Sequence, residues 1–154
     1  MGVEVQGLEE LKRKFEEIPK ALRRRVLRNA LSAGARLVRD EAKRNAPILQ
    51  NRFKAPYRTP GTVKNAIKVR ISKLDKRAGN VGVFVNVKPA KAGNRGAKNP
   101  NDPFYWRWLE FGTKKMPERP FLRKGAEKLG AALTSFEASI AKWMTKVDNG
   151  AQVQ

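Results

Sequence analysis

Acidic residues are the first candidates for chemistry in this sequence, because it contains no His and no Cys. An imidazole base, a Ser-His or Cys-His nucleophile pair, a His-ligated zinc ion and a disulfide framework are therefore excluded. The acid pairs Glu9-Glu10, Glu16-Glu17 and Asp40-Glu41 are each adjacent in sequence. Because adjacent residues on a helix do not share a face, these pairs predict solvated side chains and not a catalytic acid and base.

Glu110 differs from the other acids because aromatic and basic residues surround it. Trp108 and Phe111 lie beside it, and Arg119 follows after a short turn-rich segment. We expect a buried ion pair between Glu110 and Arg119. Since no second catalytic group accompanies this glutamate, we predict no catalytic residue, no metal ligand and no cofactor, and we expect the protein not to be an enzyme.

Motifs for binding phosphate or nucleic acid are weak. Residues 93–97 do not match the Walker pattern, and no helix is predicted directly after them. The sequence also lacks zinc-finger spacing and the aromatic strand pair of an RNA-recognition motif. A contact with DNA would therefore be made to phosphates, without readout of the base sequence.

The basic charge is concentrated in the middle of the chain. The whole sequence has 34 Lys and Arg against 14 Asp and Glu, a net charge of +20. Between Ala42 and Pro100 the single acid is Asp75. This segment indicates either a solvated surface that keeps the protein soluble or a surface that faces nucleic acid or an acidic protein. The candidate contacts with phosphates or an acidic partner are Arg52, Lys54, Arg58, Lys88, Lys91, Arg95 and Lys98.

Length and hydropathy limit the number of domains and the class of protein. The chain has 154 residues, of which 40% are hydrophobic, enough for one domain with a real core. No apolar run approaches the roughly 18 residues that a membrane helix needs, and Met1–Gln6 lacks the layout of a signal peptide. We expect a soluble protein of a reducing compartment, without membrane association, with one domain over 1–147 and a flexible tail over 148–154.

Two long amphipathic helices are predicted, over about 19–45 and 120–147. Pro19 suits the first position of the first helix, and Pro47 follows its end. The second helix has a heptad-like apolar stripe, which indicates either a core-facing helix or a seam between subunits. This stripe comprises Leu122, Ala126, Leu129, Leu133, Phe136, Ile140, Trp143 and Val147. A shorter amphipathic helix is predicted over 7–18.

A small antiparallel sheet completes the predicted α+β fold. Apolar residues alternate with polar ones over 67–71 and over 81–87, which predicts a hairpin. Because a lone hairpin is marginally stable, the two long helices should pack on one of its faces. The loops over 48–61 and 88–103 are long and basic, and their composition predicts mobile arms. The segment 104–111, followed by Gly112, predicts a short helix.

Three segments, in this order, resemble a known family. They are residues 7–19, then Ala46-Pro47 with residues 61–67, then residues 105–127. This order is similar to the small neck and tail-completion (head–tail joining) family of long-tailed double-stranded DNA phages. The most specific matches are Glu110, Phe111, Gly112, Thr113, Met116, Pro117, Arg119, Pro120 and Phe121. The chain departs from the family where extra residues separate Pro47 from Gly61, and where Ala66 replaces the usual Ser.

The resemblance implies a structural virion protein, a minor tail component of siphophages. Such a protein would assemble as a ring-like homo-oligomer at the head–tail junction or the head-proximal end of the tail. Its partners would be connector or head-closure, tail terminator or tail tube proteins, with double-stranded DNA contacted through phosphates. It would reside in the virion, and in the host cytoplasm during assembly. The charge leaves one alternative open, a sequence-independent nucleic-acid-binding protein of host type.

Overall fold

The computed structural model describes residues 12–13, 16–50, 55–73 and 77–148. The elements in this part of the chain are α1 (Lys20–Asn45), α2 (Thr62–Ala66), β1 (Ile67–Ile71), β2 (Val83–Val87), α3 (Trp106–Phe111), α4 (Leu122–Ala126) and α5 (Leu129–Asp148). The predicted α+β class is confirmed, with two long helical regions and one small antiparallel sheet among the described residues.

Helix α1 organises the fold, because α4, α5 and both strands contact it. Its first half packs against α5, and the shared core consists of Val26 and Ala30 with Ile140 and Met144. The two backbones meet at Gly34, where a Cβ atom would lie only 2.5 Å from the carbonyl oxygen of Ala132. The absence of a side chain at Gly34 therefore permits the close packing of α1 and α5.

The hairpin packs on the second half of α1. Strands β1 and β2 are antiparallel, and Ile67 is paired with Val87 in a register that continues to Ile71 and Val83. Ile67 and Val87 are almost fully buried, with 0% and 2% of their surface exposed, whereas Ile71 at the other end of the strand is 47% exposed. The core around this pair consists of Ala42, Ala46, Val63, Ile67, Val87 and Phe121.

The predicted second long helix is interrupted. The chain forms α4, a tight turn and then α5, and the turn has hydrogen bonds from the amides of Glu127 and Lys128 to carbonyls three residues earlier. Gly125 lies so close to α1 that a Cβ atom there would be 2.9 Å from the carbonyl oxygen of Val38. The close packing of Gly125 against α1 fixes the direction of α4, and the helix breaks before α5 packs on the first half of α1.

Short elements were harder to predict than long ones. Helix α2 lies where the sequence predicts only the entry to a strand, and it follows Gly61 in the left-handed region at φ 76°. The predicted short helix over 104–111 is confirmed as α3, followed by Gly112 at φ 71°. The predicted helix over 7–18 lies largely outside the described residues. The tail over 148–154 does so too, except that α5 ends at residue 148.

Candidate functional site

The motif residues converge where α3, a turn and α4 meet. Glu110 is 2% exposed, and its carboxylate accepts hydrogen bonds from three consecutive backbone amides. Oε2 lies 2.8 Å from the nitrogen of Phe121 and 2.9 Å from that of Leu122, and Oε1 lies 2.9 Å from that of Arg123. The carboxylate therefore satisfies the free amides at the start of α4.

The expected ion pair between Glu110 and Arg119 is wrong. The cation closest to the carboxylate is Arg123, whose Nε lies 3.9 Å from Oε1. Arg119 is exposed, and its backbone amide donates to the carbonyl oxygen of Leu109 at 2.7 Å. The guanidinium of Arg123 forms a closer pair with Glu118, at 2.8 Å. Sequence proximity favoured Arg119, which is nearer to Glu110 in the chain than Arg123 is.

The turn between α3 and α4 depends on Gly112. A Cβ atom at Gly112 would lie 2.9 Å from the nitrogen of Glu118 and 3.0 Å from the carbonyl oxygen of Met116. The turn is closed by a bridge between Thr113 and Met116, with the amide of Thr113 donating at 2.8 Å. Any side chain at position 112 would therefore strain the turn, because the positive φ favours glycine and because the Cβ atom would clash with the neighbouring backbone.

Phe121 anchors the junction in the core. It is fully buried and packs with Ala42, Val63 and Ile67. The predicted motif residues thus come together through Glu110, Gly112, Thr113, Met116 and Phe121. Three other motif residues of this turn are exposed, namely Phe111, Pro117 and Arg119, and Pro120 is partly buried. The motif is a clamp that fixes the direction of α4, so its inner residues serve the fold.

An open groove of about 800 Å³ adjoins the clamp. It lies between the chain that follows α1 and helix α3, and Ile48, Tyr105 and Trp108 contribute apolar walls while Arg58 and Arg119 contribute charge. Trp108 and Phe111 are 52% and 66% exposed. Burial raises the pKa of the Tyr105 phenol, although nearby Arg58 and a hydrogen bond with Thr62 oppose that shift.

Arg58 makes several contacts within the fold. Its Nη1 donates to the carbonyl oxygen of Asn99 at 2.8 Å, and its Nη2 donates to that of Ala97 at 3.0 Å. The guanidinium carbon also lies 4.8 Å from the ring centre of Phe104 and 5.3 Å from that of Tyr105. Arg58 therefore links the groove to the loop over 88–103.

The same loop is held at its other side by Asp102. The side chain of Asp102 is 1% exposed, and its carboxylate accepts the amides of Ala90 at 2.9 Å and Gly96 at 2.6 Å. Composition predicts a mobile arm here, whereas the structure has a loop tied by these bonds. Sequence reasoning missed Asp102, although an Asp before a Pro is a known signal for a turn.

Four of the remaining candidate basic contacts lie on one loop. Lys88, Lys91, Arg95 and Lys98 are exposed along the loop over 88–103, and the Nε of Arg95 donates to the carbonyl oxygen of Ala90 at 3.0 Å. Arg52 and Lys54 lie outside the described residues. Among the residues the structure describes, no group of acids is arranged to hold a metal ion. The described helices include none long and apolar enough to cross a bilayer.

The comparison with known families gives a match over most of the chain. Residues 9–112 match the family described as "Bacteriophage HK97-gp10, putative tail-component". The chain belongs to this family. The match spans α1, the hairpin and the helix that carries Glu110, and it ends at the glycine of the clamp. A search of curated proteins and a search of solved structures gave no match.

Membership of the HK97-gp10-like family makes the chain a phage tail component, and hence a structural protein of the virion. The suspected neck and tail-completion resemblance is confirmed at this level. The part of the clamp after Gly112, with α4 and α5, lies beyond the matched residues. The role of these elements therefore has to be argued from their own contacts.

Proposed function

We propose that the protein is a neck or tail-completion component that assembles as a ring-like homo-oligomer. Its place would be the head–tail junction or the head-proximal end of the tail. The family match over residues 9–112 carries this proposal. Connector or head-closure, tail terminator and tail tube proteins are the expected partners, and the virion is the expected location after assembly in the host cytoplasm.

The exposed half of the α5 stripe supports the oligomer. Ile140 is 3% exposed, whereas Leu129 and Leu133 on the same stripe are 58% and 60% exposed. Leu37 of α1, one turn beyond the close contact at Gly34, is also 40% exposed. An apolar surface of this kind at the junction of two helices is typical of a contact with another subunit. Head-to-tail contacts that close generate rings.

The test combines oligomer mass with imaging. Light scattering after size exclusion measures the mass of the full chain, and negative-stain electron microscopy looks for rings alone and on purified tail tubes. The double variant L129Q/L133Q should lose the oligomer. The matched control I48Q/I71Q changes two apolar residues that are each 47% exposed elsewhere, and it should keep the oligomer. A wild-type monomer that does not bind tails would contradict the proposal.

The alternative of a host-type nucleic-acid-binding protein explains the charge but leaves the family match unexplained. The family match favours the virion component, so the basic surface is interpreted within that role. The prediction of a single domain over 1–147 also belongs to the proposal, because a ring subunit needs one rigid body. Limited proteolysis of the purified chain should release no stable fragment much shorter than this span.

A further inference from the structure

A row of basic side chains runs along the outer face of α1. The helix has seven Arg and two Lys against two acids, Asp40 and Glu41. The row comprises Arg25, Arg28, Arg36, Arg39 and Lys43. These positions recur at helical spacing and share one face of the helix. At 1.5 Å per residue the row is about 27 Å long. Apart from Lys43, this charge lies outside the basic middle segment over 42–100.

Most of this charge is not neutralised by the protein. In the described part of the chain Arg39 is paired with Asp40, at 2.8 Å, while no carboxylate lies within ion-pair distance of Arg25, Arg28 or Arg36. These three arginines are exposed. They are also not among the buried residues of α1, which are Val26, Ala30, Gly34 and Ala42. The fold therefore does not account for them.

A second basic segment adjoins the start of the row. A Cβ atom at Gly79 would lie 3.0 Å from Nη2 of Arg24, so the connection between β1 and β2 touches the first turns of α1. This connection carries the exposed bases Lys73 and Arg77. The cationic surface therefore extends beyond one helix, and a partner that lies along α1 would also meet the hairpin connection.

We infer that this face of α1 binds the phosphate backbone of double-stranded DNA. Protein–protein interfaces are anchored by buried aromatic or aliphatic side chains, whereas the row has Ser32 and small or charged residues between its arginines. Guanidinium groups match phosphate oxygens in a bidentate geometry. A hydrophilic row of arginines therefore fits a polyanionic backbone better than an acidic protein surface. Because such contacts are made to phosphates and not to bases, this face gives no base specificity.

The test measures binding of the full chain to a labelled 30-base-pair duplex at several salt concentrations. The logarithm of the binding constant falls with the logarithm of salt concentration by about 0.9 per phosphate contact. The triple variant R25Q/R28Q/R36Q should make this slope less negative by about 2 to 3, and it should lower affinity on the order of 100-fold near 0.1 M salt. The variant R25K/R28K/R36K keeps the charge and should keep most of the slope.

The control variant K88Q/K91Q/K98Q removes the same charge from three exposed lysines of the loop over 88–103. It should leave the slope nearly unchanged. Equal changes in the two Gln triples would overturn the inference, and so would a wild-type protein that does not bind the duplex. Equal affinity for polyglutamate of matched charge would indicate an acidic protein instead. Circular dichroism checks that each variant is folded. If the triple variant unfolds, the single variant R28Q replaces it, with an expected slope change of about 0.9.

The inference adds double-stranded DNA as a partner of the proposed neck or tail-completion component, and it rests on that proposal only for its setting. The two tests are therefore separable. A protein that forms rings on tails but does not bind duplex would retain the proposed function and lose the DNA site. A protein that binds duplex through α1 but never assembles would do the reverse.

Discussion

The carboxylate of Glu110 accepts a hydrogen bond from the backbone amide of Phe121, with 2.8 Å between Oε2 and the nitrogen. One residue is the buried acid at the end of α3, and the other is the fully buried aromatic residue before α4. This bond joins the motif before Gly112 to the motif after it. The two halves of the sequence signature are therefore two sides of one structural clamp.

Removal of this carboxylate should destabilise the whole domain. Glu110→Ala leaves three amides near the core without an acceptor, and bonds from amides to a charged group are individually strong. We expect a loss of about 3 kcal/mol in the free energy of unfolding. Glu110→Gln keeps the volume but removes the charge and one acceptor, so we expect a loss of about 1.5 kcal/mol. Urea denaturation followed by circular dichroism measures both.

Glu118→Gln is the matched control for this series. Glu118 is 52% exposed and forms an ion pair with Arg123 at 2.8 Å. Because exposed ion pairs contribute little, this variant should change the free energy of unfolding by less than about 0.5 kcal/mol. A loss in Glu118→Gln as large as that in Glu110→Ala would mean that the clamp depends on charge at the surface and not on the buried amides.

Two glycines in the paired helices should respond to alanine in opposite directions. Gly34→Ala places a Cβ atom 2.5 Å from the carbonyl oxygen of Ala132, so α1 and α5 must separate, at a cost of about 2 kcal/mol. Gly130→Ala meets no atom within 4 Å and should stabilise α5 by about 0.5 kcal/mol. Thermal and urea unfolding of both variants check the signs, and a Gly34→Ala variant that loses no stability would contradict the close helix contact.

A lysine at position 58 should reveal the structural role of Arg58. Arg58→Lys keeps the charge but loses the fork of donors that reaches the carbonyls of Ala97 and Asn99. We expect a loss of about 1.5 kcal/mol in the free energy of unfolding. The control Arg36→Lys, on the exposed face of α1, should stay within about 0.5 kcal/mol of the wild type. An unchanged stability in Arg58→Lys would restore this residue as a free surface contact.

Periodicity was a good guide to the long elements. The apolar stripe of α1 and the alternation in the hairpin depend on the regular repeat of each element, and both are confirmed within a few residues. Helix α2 has five residues, too few to show a period, so it was missed. The break before Leu129 was missed because its cause is the packing of Gly125 against α1, which no local pattern encodes.

The site was predicted less well than the fold, because its contacts are distant in sequence. Charge alone made Arg58 a surface contact, whereas its partners are about forty residues further along the chain. The charge count over 42–100 does not include Arg28 and Arg36, which lie on one face of α1. The family motif predicted that residues 110–121 matter, but only the coordinates show Glu110 binding the amides of α4.

The loop over 88–103 should lose its structure when Asp102 is replaced. This carboxylate accepts the amides of Ala90 and Gly96, and the loop has no helix or strand of its own. In Asp102→Ala these two amides should exchange with deuterium much faster, at a cost of about 2 kcal/mol of stability. Asn101→Ala, at the exposed neighbouring position, should leave both amides protected. The bonds of Arg58 still attach the same loop from its other side, so the opening should stay local to the loop. The amides of α1 should therefore keep their protection in both variants. Fast exchange at Ala90 in the wild type would contradict the anchored loop.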